Sequence, residues 1–468
     1  GVRMKWDYEA EDPHADARGF RVDELRQDHD ESNYFAQDAK RELTLAEIKS
    51  DLALSNGARF YNDHAHPEYC TPECSTLDEL IAHDRAGERI VMDCAARLSE
   101  ERGATVRIYK NNTDFLGHSY GCHENYLLPR TLPWERLSDG IESFLVTRQI
   151  FCGAGKFAIE DEDRFVNSDF QISQRSDFFQ IRQSVDTMQK RPLINTRDEP
   201  HADPWKWRRF HVILGDANMS PFATKLKVGT MALVLEALVR QPELKLPRIM
   251  APVSALKSIS RDQSFQWNLT LEGRMTTTAV EVQRWYLETV RKVCDLSSAE
   301  SQWIVREWDR VLTDLASDPL RCVDRVDWVA KQNLIREFQK AQGLADDDPW
   351  LQSLDLEYHR LEADEGLYFA LEAAGQMTEV PDPLAVKTAQ MSPPLSTRAY
   401  LRGRCIDKFG SQVLAAQWDH VILKGANCDI KISLLDLFAP DDIVRYREAI
   451  EVADTPDQLR LLLDISRS

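Results

Sequence analysis

Four short segments of the chain place carboxylate, imidazole, carboxamide and guanidinium side chains close together in sequence. These segments are residues 61–73, 110–126, 195–203 and 208–218. Carboxylates and imidazoles suit a hard cation such as Mg²⁺, which prefers oxygen ligands and retains part of its water. The arginines beside them suit bidentate contacts to phosphate oxygens. The residue types therefore predict a metal- and phosphate-dependent enzyme whose ATP-phosphate site does not use a P-loop.

Two further fragments resemble known chemical motifs, and each has a simpler interpretation. The fragment Gly153-Ala-Gly155-Lys156 ends like a P-loop but lacks the four-residue gap that a P-loop requires before Gly-Lys, so a turn is favoured. Cys70 and Cys74 have the spacing of half a zinc site, yet no second Cys/His pair follows at suitable spacing. We therefore favour ordinary packing for these two cysteines.

Each of the four segments flanks or ends a predicted strand. Tyr61 and Asp63 share one face of the first strand, because side chains alternate along a strand. Phe60 and Asn62 take the opposite face. The strands are thus expected to hold the polar groups at their ends. The strands are predicted at residues 58–63, 105–109, 143–150 and 210–214.

Helices are predicted between these strands from capping signals and apolar periodicity. Ser220 followed by Pro221 is an N-cap with proline at the first helical position, which opens a long helix. Apolar and Trp residues recur at helical spacing from 276 to 342, with a capping box at Ser297 and Glu300. We interpret this Trp stripe as part of the core.

The two ends of the chain differ from its middle. Residues 7–31 are acidic and poor in apolar anchors, which predicts a mobile loop, and a capping box that begins at Thr44 predicts a helix after it. Towards the other end, Pro-rich residues 380–394 interrupt the helical pattern. The remaining residues are expected to form a helix, a strand at 418–423 and two helices, the last capped by Thr455.

The composition restricts the classes of function. The chain has 468 residues with 58 Lys and Arg against 77 Asp and Glu, a formal net charge of −19. An acidic surface argues against nucleic acid and anionic membranes as the main partners. The most apolar stretch, 228–239, is too short to span a bilayer, and no signal peptide is visible. Nine scattered cysteines predict no disulfide framework and a cytoplasmic location.

Several motifs together carry a resemblance to a known family. They are NGARFYNDHAHPEYCTPEC, KNNTD, SYGCHENYL, FLVTRQIFCGAGK, INTRDEPHAD, RRFHVILGDANMS and LKVGTMALVLE, and the resemblance runs in order from about residue 4 to 424. In this set the chain resembles the Pup ligase/depupylase family, which is related to glutamine synthetase and glutamate–cysteine ligase. These enzymes attach the prokaryotic ubiquitin-like protein Pup to other proteins or remove it.

The resemblance implies an α+β fold with two parts. Residues 1–390 are expected to form a glutamine synthetase-like catalytic domain, with a curved antiparallel sheet packed by helices and an acidic mobile loop at about 14–43. Residues 391–468 are expected to form a small C-terminal α/β domain. Family members begin with a strand carrying a Gly-x-Glu-x-Glu-Tyr-like motif whose glutamates bind metal. That strand is expected to be missing from this chain, which would leave the metal site incomplete.

Two activities within the family have to be separated. DHAHPEY and WDYEAEDPHADARGF resemble the depupylase branch, whereas KNNTD and GCHENYL are closer to the ligase. The expected function is hydrolysis of the isopeptide bond between Pup and substrate lysines, and deamidation of the C-terminal glutamine of Pup. ATP, or ADP plus phosphate, and Mg²⁺ are the implied cofactors, and Pup and pupylated proteins the implied partners. The alternatives are a Pup–protein ligase that hydrolyses ATP, and an inactive relative that only binds Pup.

The resemblance also assigns roles to individual residues. Asp63 is implied as the catalytic aspartate, either attacking the scissile carbonyl or aligning the attacking water or phosphate. An ionised carboxylate near a metal is a plausible nucleophile or base. The implied metal ligands are Glu68, Glu73, His123 and His211. The implied nucleotide and phosphate contacts are Arg197, Arg208, Asn111 and Asn125.

Overall fold

The structure is a computed structural model that describes residues 2–3, 12–25, 51–63, 66–161, 164–187, 190–378 and 381–464. Its strands are β1 (Val2–Arg3), β2 (Ala15–Asp16), β3 (Phe20–Arg21), β4 (Leu52–Ala53), β5 (Arg59–Asp63), β6 (His66–Cys70), β7 (Glu124–Pro129), β8 (Lys156–Asp161), β9 (Arg164–Gln171), β10 (Phe179–Ser184), β11 (Arg191–Asn195), β12 (Trp207–Val212), β13 (Asn268–Thr270), β14 (Thr276–Thr278), β15 (Val413–Ala416), β16 (His420–Lys424) and β17 (Asp429–Ser433). Its helices are α1 (Leu77–Arg102), α2 (Trp134–Thr147), α3 (Gln149–Cys152), α4 (Pro221–Arg240), α5 (Pro252–Arg261), α6 (Ala279–Val293), α7 (Ala299–Ser317), α8 (Asp327–Gln342), α9 (Pro349–Tyr358), α10 (Leu367–Ala373), α11 (Pro383–Met391), α12 (Ala399–Phe409), α13 (Pro440–Val452) and α14 (Pro456–Leu462).

A group of helices surrounds the main apolar core. The predicted helix after Ser220 is confirmed as α4, and the Ser220 hydroxyl accepts a hydrogen bond from the amide of Ala223. The helical pattern predicted for 276–342 is confirmed from Ala279 onward as α6, α7 and α8, whereas Thr276–Thr278 form β14. Trp308 is fully buried as expected, although Trp285 is 47% exposed. The cap of α7 is Ser298, one residue later than predicted.

The described strands form seven small sheets instead of one curved sheet. Six of these sheets are antiparallel, and β10 pairs with β11 in parallel. Two of the antiparallel sheets carry predicted site residues, the four-stranded sheet β1-β4-β5-β6 and the pair β7-β12. The structure therefore shows the expected antiparallel strands packed by helices, but the described strands do not form the single curved sheet that was expected.

The C-terminal residues have an apolar core of their own. α12, β15–β17, α13 and α14 bury residues from Leu401 to Leu463 together with Ala53. The predicted strand at 418–423 is found as β16, with an unpredicted strand on each side. The predicted cap of the last helix is confirmed, because the Thr455 hydroxyl accepts from the amide of Gln458. The division at residue 390 stays a prediction, to which this separate core lends support.

Four local expectations fail or fall partly outside the described residues. The strand predicted at 143–150 is wrong, because these residues end α2 and begin α3. A helix that is buried on all sides has no polar face, so its sequence does not show the helical period. At 105–109 there is only an isolated bridge between Tyr109 and Arg360. Leu52, expected in the helix after Thr44, lies in β4, and the rest of that helix is outside the described residues. Residues 12–25 of the acidic stretch form the hairpin β2-β3.

The fragment that ends like a P-loop is structural. Lys156 is completely buried, and its ammonium group contacts the carboxylates of Glu160 at 2.8 Å and Asp177 at 3.0 Å. A lysine held in this way has no access to a nucleotide. None of the nine cysteines is in a disulfide. Within the described ranges, no helix has both the length and the apolar character needed to cross a membrane.

Candidate active site

One face of the β5-β6 hairpin collects polar groups. Directly opposed residues of an antiparallel pair share a face, and the register pairs Tyr61 with Glu68 and Asp63 with His66. The predicted alternation of Tyr61 and Asp63 against Phe60 is thereby confirmed. Glu68 is the diagonal neighbour of Asp63, a relation that places Cα atoms about 7–8 Å apart. The hairpin therefore presents two carboxylates on one surface.

The carboxylate of Glu68 is fixed by two neutral donors. The Tyr61 hydroxyl donates to Glu68 Oε1 at 2.7 Å, and the Cys70 thiol approaches the same oxygen at 3.3 Å. Burial is the main cause that raises the pKa values of the Cys70 thiol and the Tyr61 phenol well above their usual range, and the negative charge of Glu68 adds to both. Both groups therefore stay protonated as hydrogen-bond donors.

A second polar face lies on the antiparallel pair β7-β12. The register opposes His211 to Asn125, so these two share a face with Arg209, two residues back along β12. Arg209 Nη1 lies 2.8 Å from His211 Nδ1 and 3.0 Å from Asn125 Oδ1. Arg208 points to the opposite, core face, where it donates to the carbonyl of Leu132.

This geometry assigns a different arginine from the one that the resemblance implied. Arg208 stacks over the Trp134 ring with its Cζ 5.5 Å from the centroid, away from His211. Arg209 lies on the face that carries His211 and Asn125. The signal was present in the sequence, since a strand period of two joins His211 to Arg209 and not to Arg208.

The imidazoles of His123 and His211 are neutral and lie against each other, with ring centroids 5.1 Å apart. Burial, followed by Arg209 and His123, lowers the pKa of His211 well below its usual range. Because Arg209 can only donate, Nδ1 of His211 must accept, and Nε2 carries the proton. That buried Nε2 has no hydrogen-bond partner within the described residues. His211 therefore presents a donor suited to a phosphate oxygen, which does not fit its implied role as a metal ligand.

Further arginines surround the two histidines. Loss of hydration around the ring, and then the charges of Arg175 and Arg191, lower the pKa of His123. Arg197 contributes to the same lowering for both His123 and His211, so it lies within electrostatic range of both. Arg175 and Arg191 were not predicted from the sequence, because both lie in segments without a dense polar motif.

Arg175 is a buried cation without a carboxylate partner among the described residues. Its guanidinium donates to the Ser119 hydroxyl at 3.1 Å and to the carbonyls of Ile213 and Gly215. Burial and the neighbouring Arg191 lower the pKa of Arg175 to about 9, so it is still charged at neutral pH. Gly121 packs directly against this guanidinium. A buried cation that is not paired with a carboxylate is unfavourable, and an anion bound beside it would compensate its charge.

The two polar faces meet around His201. Arg209 of β12, Arg398 and Arg59 of β5 contribute to the low pKa of its imidazole, after burial, so all three lie within electrostatic range of it. The rings of His66 and Tyr120 pack at 4.5 Å and join the β5-β6 hairpin to the segment before β7. Asp63 and Glu68 therefore belong to the same region as the arginine and histidine cluster.

Two other implied residues have structural partners. The carboxylate of Glu73 contacts Arg398 at 2.7 Å and also forms an ion pair with Arg402, both on or beside α12. Asn111 is buried, and its amide donates to the carbonyl of Thr113 at 2.6 Å. These contacts use the groups that a metal or a phosphate would need, which does not fit their implied roles.

The remaining donor set fits Mg²⁺ together with phosphate. The described residues include no group of three or more His, Cys, Asp or Glu side chains arranged around one metal position. Mg²⁺ at phosphate sites is normally held by one or two carboxylates, with phosphate oxygens and water supplying the other ligands. Glu68, the unpartnered Nε2 of His211 and the surrounding arginines match that arrangement.

Comparison with known proteins places the chain in a family. The model of the family described as Pup-ligase protein matches residues 1–422. The chain belongs to the Pup-ligase family. A depupylase of Acidothermus cellulolyticus is 45% identical to this chain over 431 residues, which cover 90% of this chain and 82% of the relative. A Pup deamidase/depupylase of Mycobacterium tuberculosis is 39% identical over 93% of this chain and 85% of the relative.

Ligases of the Pup-ligase family are also similar to the chain. A Pup–protein ligase of an Arthrobacter species is 41% identical over 76% of this chain and 79% of the relative. The solved structure of the Pup ligase PafA in complex with ADP superposes with a TM-score of 0.78 at 31% sequence identity, covering 93% of this chain and 96% of PafA. The resemblance stated from the motifs is thus confirmed, together with the mixed α/β architecture of the family.

Proposed function

We propose that this chain is an ATP- and Mg²⁺-dependent depupylase and Pup deamidase. It hydrolyses the isopeptide bond between Pup and a substrate lysine, and the side-chain amide of the C-terminal glutamine of Pup. The observation that carries the proposal is the placement of Asp63 beside Glu68 on one face of β5-β6, joined through His201 to the histidines and arginines of β7-β12. The depupylase relatives match 90–93% of the chain, which favours this branch of the family.

Both reactions add water across an amide bond. The C–N bond breaks, the carbonyl carbon gains an oxygen, and the departing nitrogen takes a proton. Asp63 is assigned as the attacking carboxylate or as the base that removes a proton from the attacking water. Label in the Asp63 side chain after a single turnover in ¹⁸O-labelled water would identify direct attack, because water must then have added to the aspartyl carbonyl of an acyl-aspartate intermediate.

Arginines and one histidine provide the proposed phosphate contacts. Arg209, Arg197 and Arg175 contribute fixed positive charge, and His211 contributes the N–H at Nε2. Glu68 is the proposed carboxylate ligand of Mg²⁺, and His123 is a second candidate ligand. When bound, Mg²⁺ would neutralise part of the phosphate charge. Glu73 is left out of this set because two arginines already hold it.

Asn125 is proposed to act through Arg209. Its carboxamide oxygen accepts from Arg209 Nη1 at 3.0 Å and, together with the Glu199 carboxylate at 3.3 Å, orients the guanidinium. Its own exposure leaves the amide nitrogen available to a nucleotide. Asn111 is assigned to the shape of the segment before β7, where it holds the Thr113 carbonyl.

The experiment is release of free Pup from a fluorescent Pup conjugate in the presence of ATP and Mg²⁺, with ADP measured at the same time. We expect many turnovers for each ADP formed, because the nucleotide acts as a cofactor. Asp63→Asn should abolish release, whereas Asp93→Asn, a substitution at an exposed position of α1, should leave it unchanged. ADP formed in proportion to conjugate, with Pup ending in Glu as substrate, would instead identify the ligase. Pup binding without any turnover would identify the inactive relative.

A cytoplasmic setting is part of the proposal. All nine cysteines are free thiols, which suits a reducing compartment. Pup and pupylated proteins are the proposed partners. Since the chain carries a net charge of −19, recognition of an acidic partner would rest on local basic and apolar contacts.

A further inference from the structure

A chain of contacts runs along β4, β5 and β6 from Asp51 to the carboxylate of Glu68. Asp51 Oδ1 accepts from Arg59 Nε at 3.0 Å and from Nη2 at 2.7 Å. The Arg59 guanidinium lies over the Tyr61 ring, with Cζ 3.9 Å from the ring centroid. The Tyr61 hydroxyl in turn donates to Glu68 Oε1 at 2.7 Å.

The sheet register brings these residues into line. Leu52 pairs with Phe60, so Asp51, one residue before it, lies level with Tyr61 across the sheet. The side chains of Asp51 and Arg59 are only 2% and 11% exposed. Water and salt therefore screen their attraction weakly. Two bonds to one carboxylate fix the plane of the guanidinium, which lies over the Tyr61 ring.

The arrangement controls which oxygen of Glu68 is available. The Tyr61 hydroxyl and the Cys70 thiol both contact Oε1. Within the described part of the chain, no donor contacts Oε2. If Tyr61 turns away, Glu68 loses its stronger donor and can adopt other rotamers, so the free oxygen is no longer directed to one place.

We propose that Asp51 is a positioning residue that acts through Arg59 and Tyr61 to hold Glu68 ready for the Mg²⁺–nucleotide complex. This inference rests on the proposed function and adds to it a residue 12 positions before Asp63, outside the four polar segments. Loss of an outer-shell partner of a metal ligand commonly weakens metal affinity by about 10- to 100-fold. Asp51 acts through two intermediates, so we expect about 10-fold.

The test measures metal affinity without turnover. Binding of Mn²⁺ to the full chain in saturating ADP is followed by electron paramagnetic resonance, without Pup. Asp51→Asn keeps the shape of the side chain and removes its charge, and should weaken Mn²⁺ binding about 10-fold. Asp51→Glu should recover part of this loss. In the hydrolysis assay the Mg²⁺ requirement of Asp51→Asn should rise by the same factor, while kcat at saturating Mg²⁺ stays within about 2-fold of the parent value.

A double substitution tests the chain of contacts itself. Tyr61→Phe removes only the hydroxyl, and its combination with Asp51→Asn should weaken Mn²⁺ binding no more than Tyr61→Phe alone. Asp309→Asn is the matched control, because it removes an ion pair of 2.8 Å with Arg291 between α6 and α7 and should leave Mn²⁺ affinity unchanged.

Several outcomes would overturn the inference. They are an unchanged Mn²⁺ affinity in Asp51→Asn, multiplicative effects of Asp51→Asn and Tyr61→Phe, and no Mn²⁺–ADP binding by the parent chain. If Asp51→Asn does not fold, Arg59→Lys takes its place, since a lysine keeps the charge but cannot form the planar stack. The same loss of affinity is then required. Failure of the parent chain to release Pup refutes the proposed function separately, because the binding measurement does not involve Pup.

Discussion

Replacing Arg209 by Gln removes the guanidinium that contacts His211 of β12 and Asn125 of β7. A hydrogen bond to a charged group contributes about 1.5–3 kcal/mol. Loss of one phosphate contact should therefore weaken binding of Mg²⁺–ADP by about 10- to 150-fold, measured by titration calorimetry. Fold stability should fall as well, because the substitution removes an ion pair of 3.3 Å with the buried carboxylate of Glu199.

The adjacent residue supplies a matched comparison for this prediction. Arg208→Gln removes the same charge one position earlier, but from the core face, where the side chain packs on Trp134 and holds the Leu132 carbonyl. We expect a loss of about 1–2 kcal/mol in the free energy of unfolding and an unchanged affinity for nucleotide. The assignment of faces is refuted if Arg208→Gln weakens nucleotide binding as much as Arg209→Gln does.

Two further predictions concern Glu73 and Gly121. Burial alone would raise the pKa of Glu73, but Arg402 and Arg398 outweigh it and hold the pKa at about 2. The stabilisation from this ion pair is therefore complete above the ordinary carboxyl pKa near 4.5 and is lost as the pH falls towards about 2. Glu73→Gln should unfold more easily than the parent chain at pH 7, and the difference in denaturation midpoint should vanish near pH 2. Gly121→Ala adds a methyl group against the Arg175 guanidinium. The affinity for nucleotide should therefore fall, while the melting temperature should change little. An unchanged affinity would argue against Arg175 as a phosphate contact.

Local signals predicted the elements whose ends are set by neighbouring residues. Ser220 and Thr455 were identified as caps because a helix N-terminus needs an acceptor within three residues. The face shared by Tyr61 and Asp63 followed from the period of a strand. The segment 143–150 was assigned wrongly because it is buried on all sides, and burial depends on elements far away in sequence.

The candidate site shows the same division. Asp63, Glu68, His123 and His211 were identified from motifs, since each stands in a dense polar segment. The partners of Glu73 could not be identified in this way, because Arg398 and Arg402 follow it by more than 320 residues. Arg175 was missed because its importance comes from burial without a carboxylate, a property that exists only after folding.

By itself, the sequence determined the family, the main helices and which residue types supply the chemistry, because these depend on local order and composition. Tertiary structure decided which of two adjacent arginines faces the histidines, which nitrogen of His211 carries a proton, and which carboxylate is already held by cations. Each of these depends on direction and distance between strands and helices that are far apart in the chain. The net charge of −19 gives no indication of the cationic cluster, because a sum over residues contains no positions.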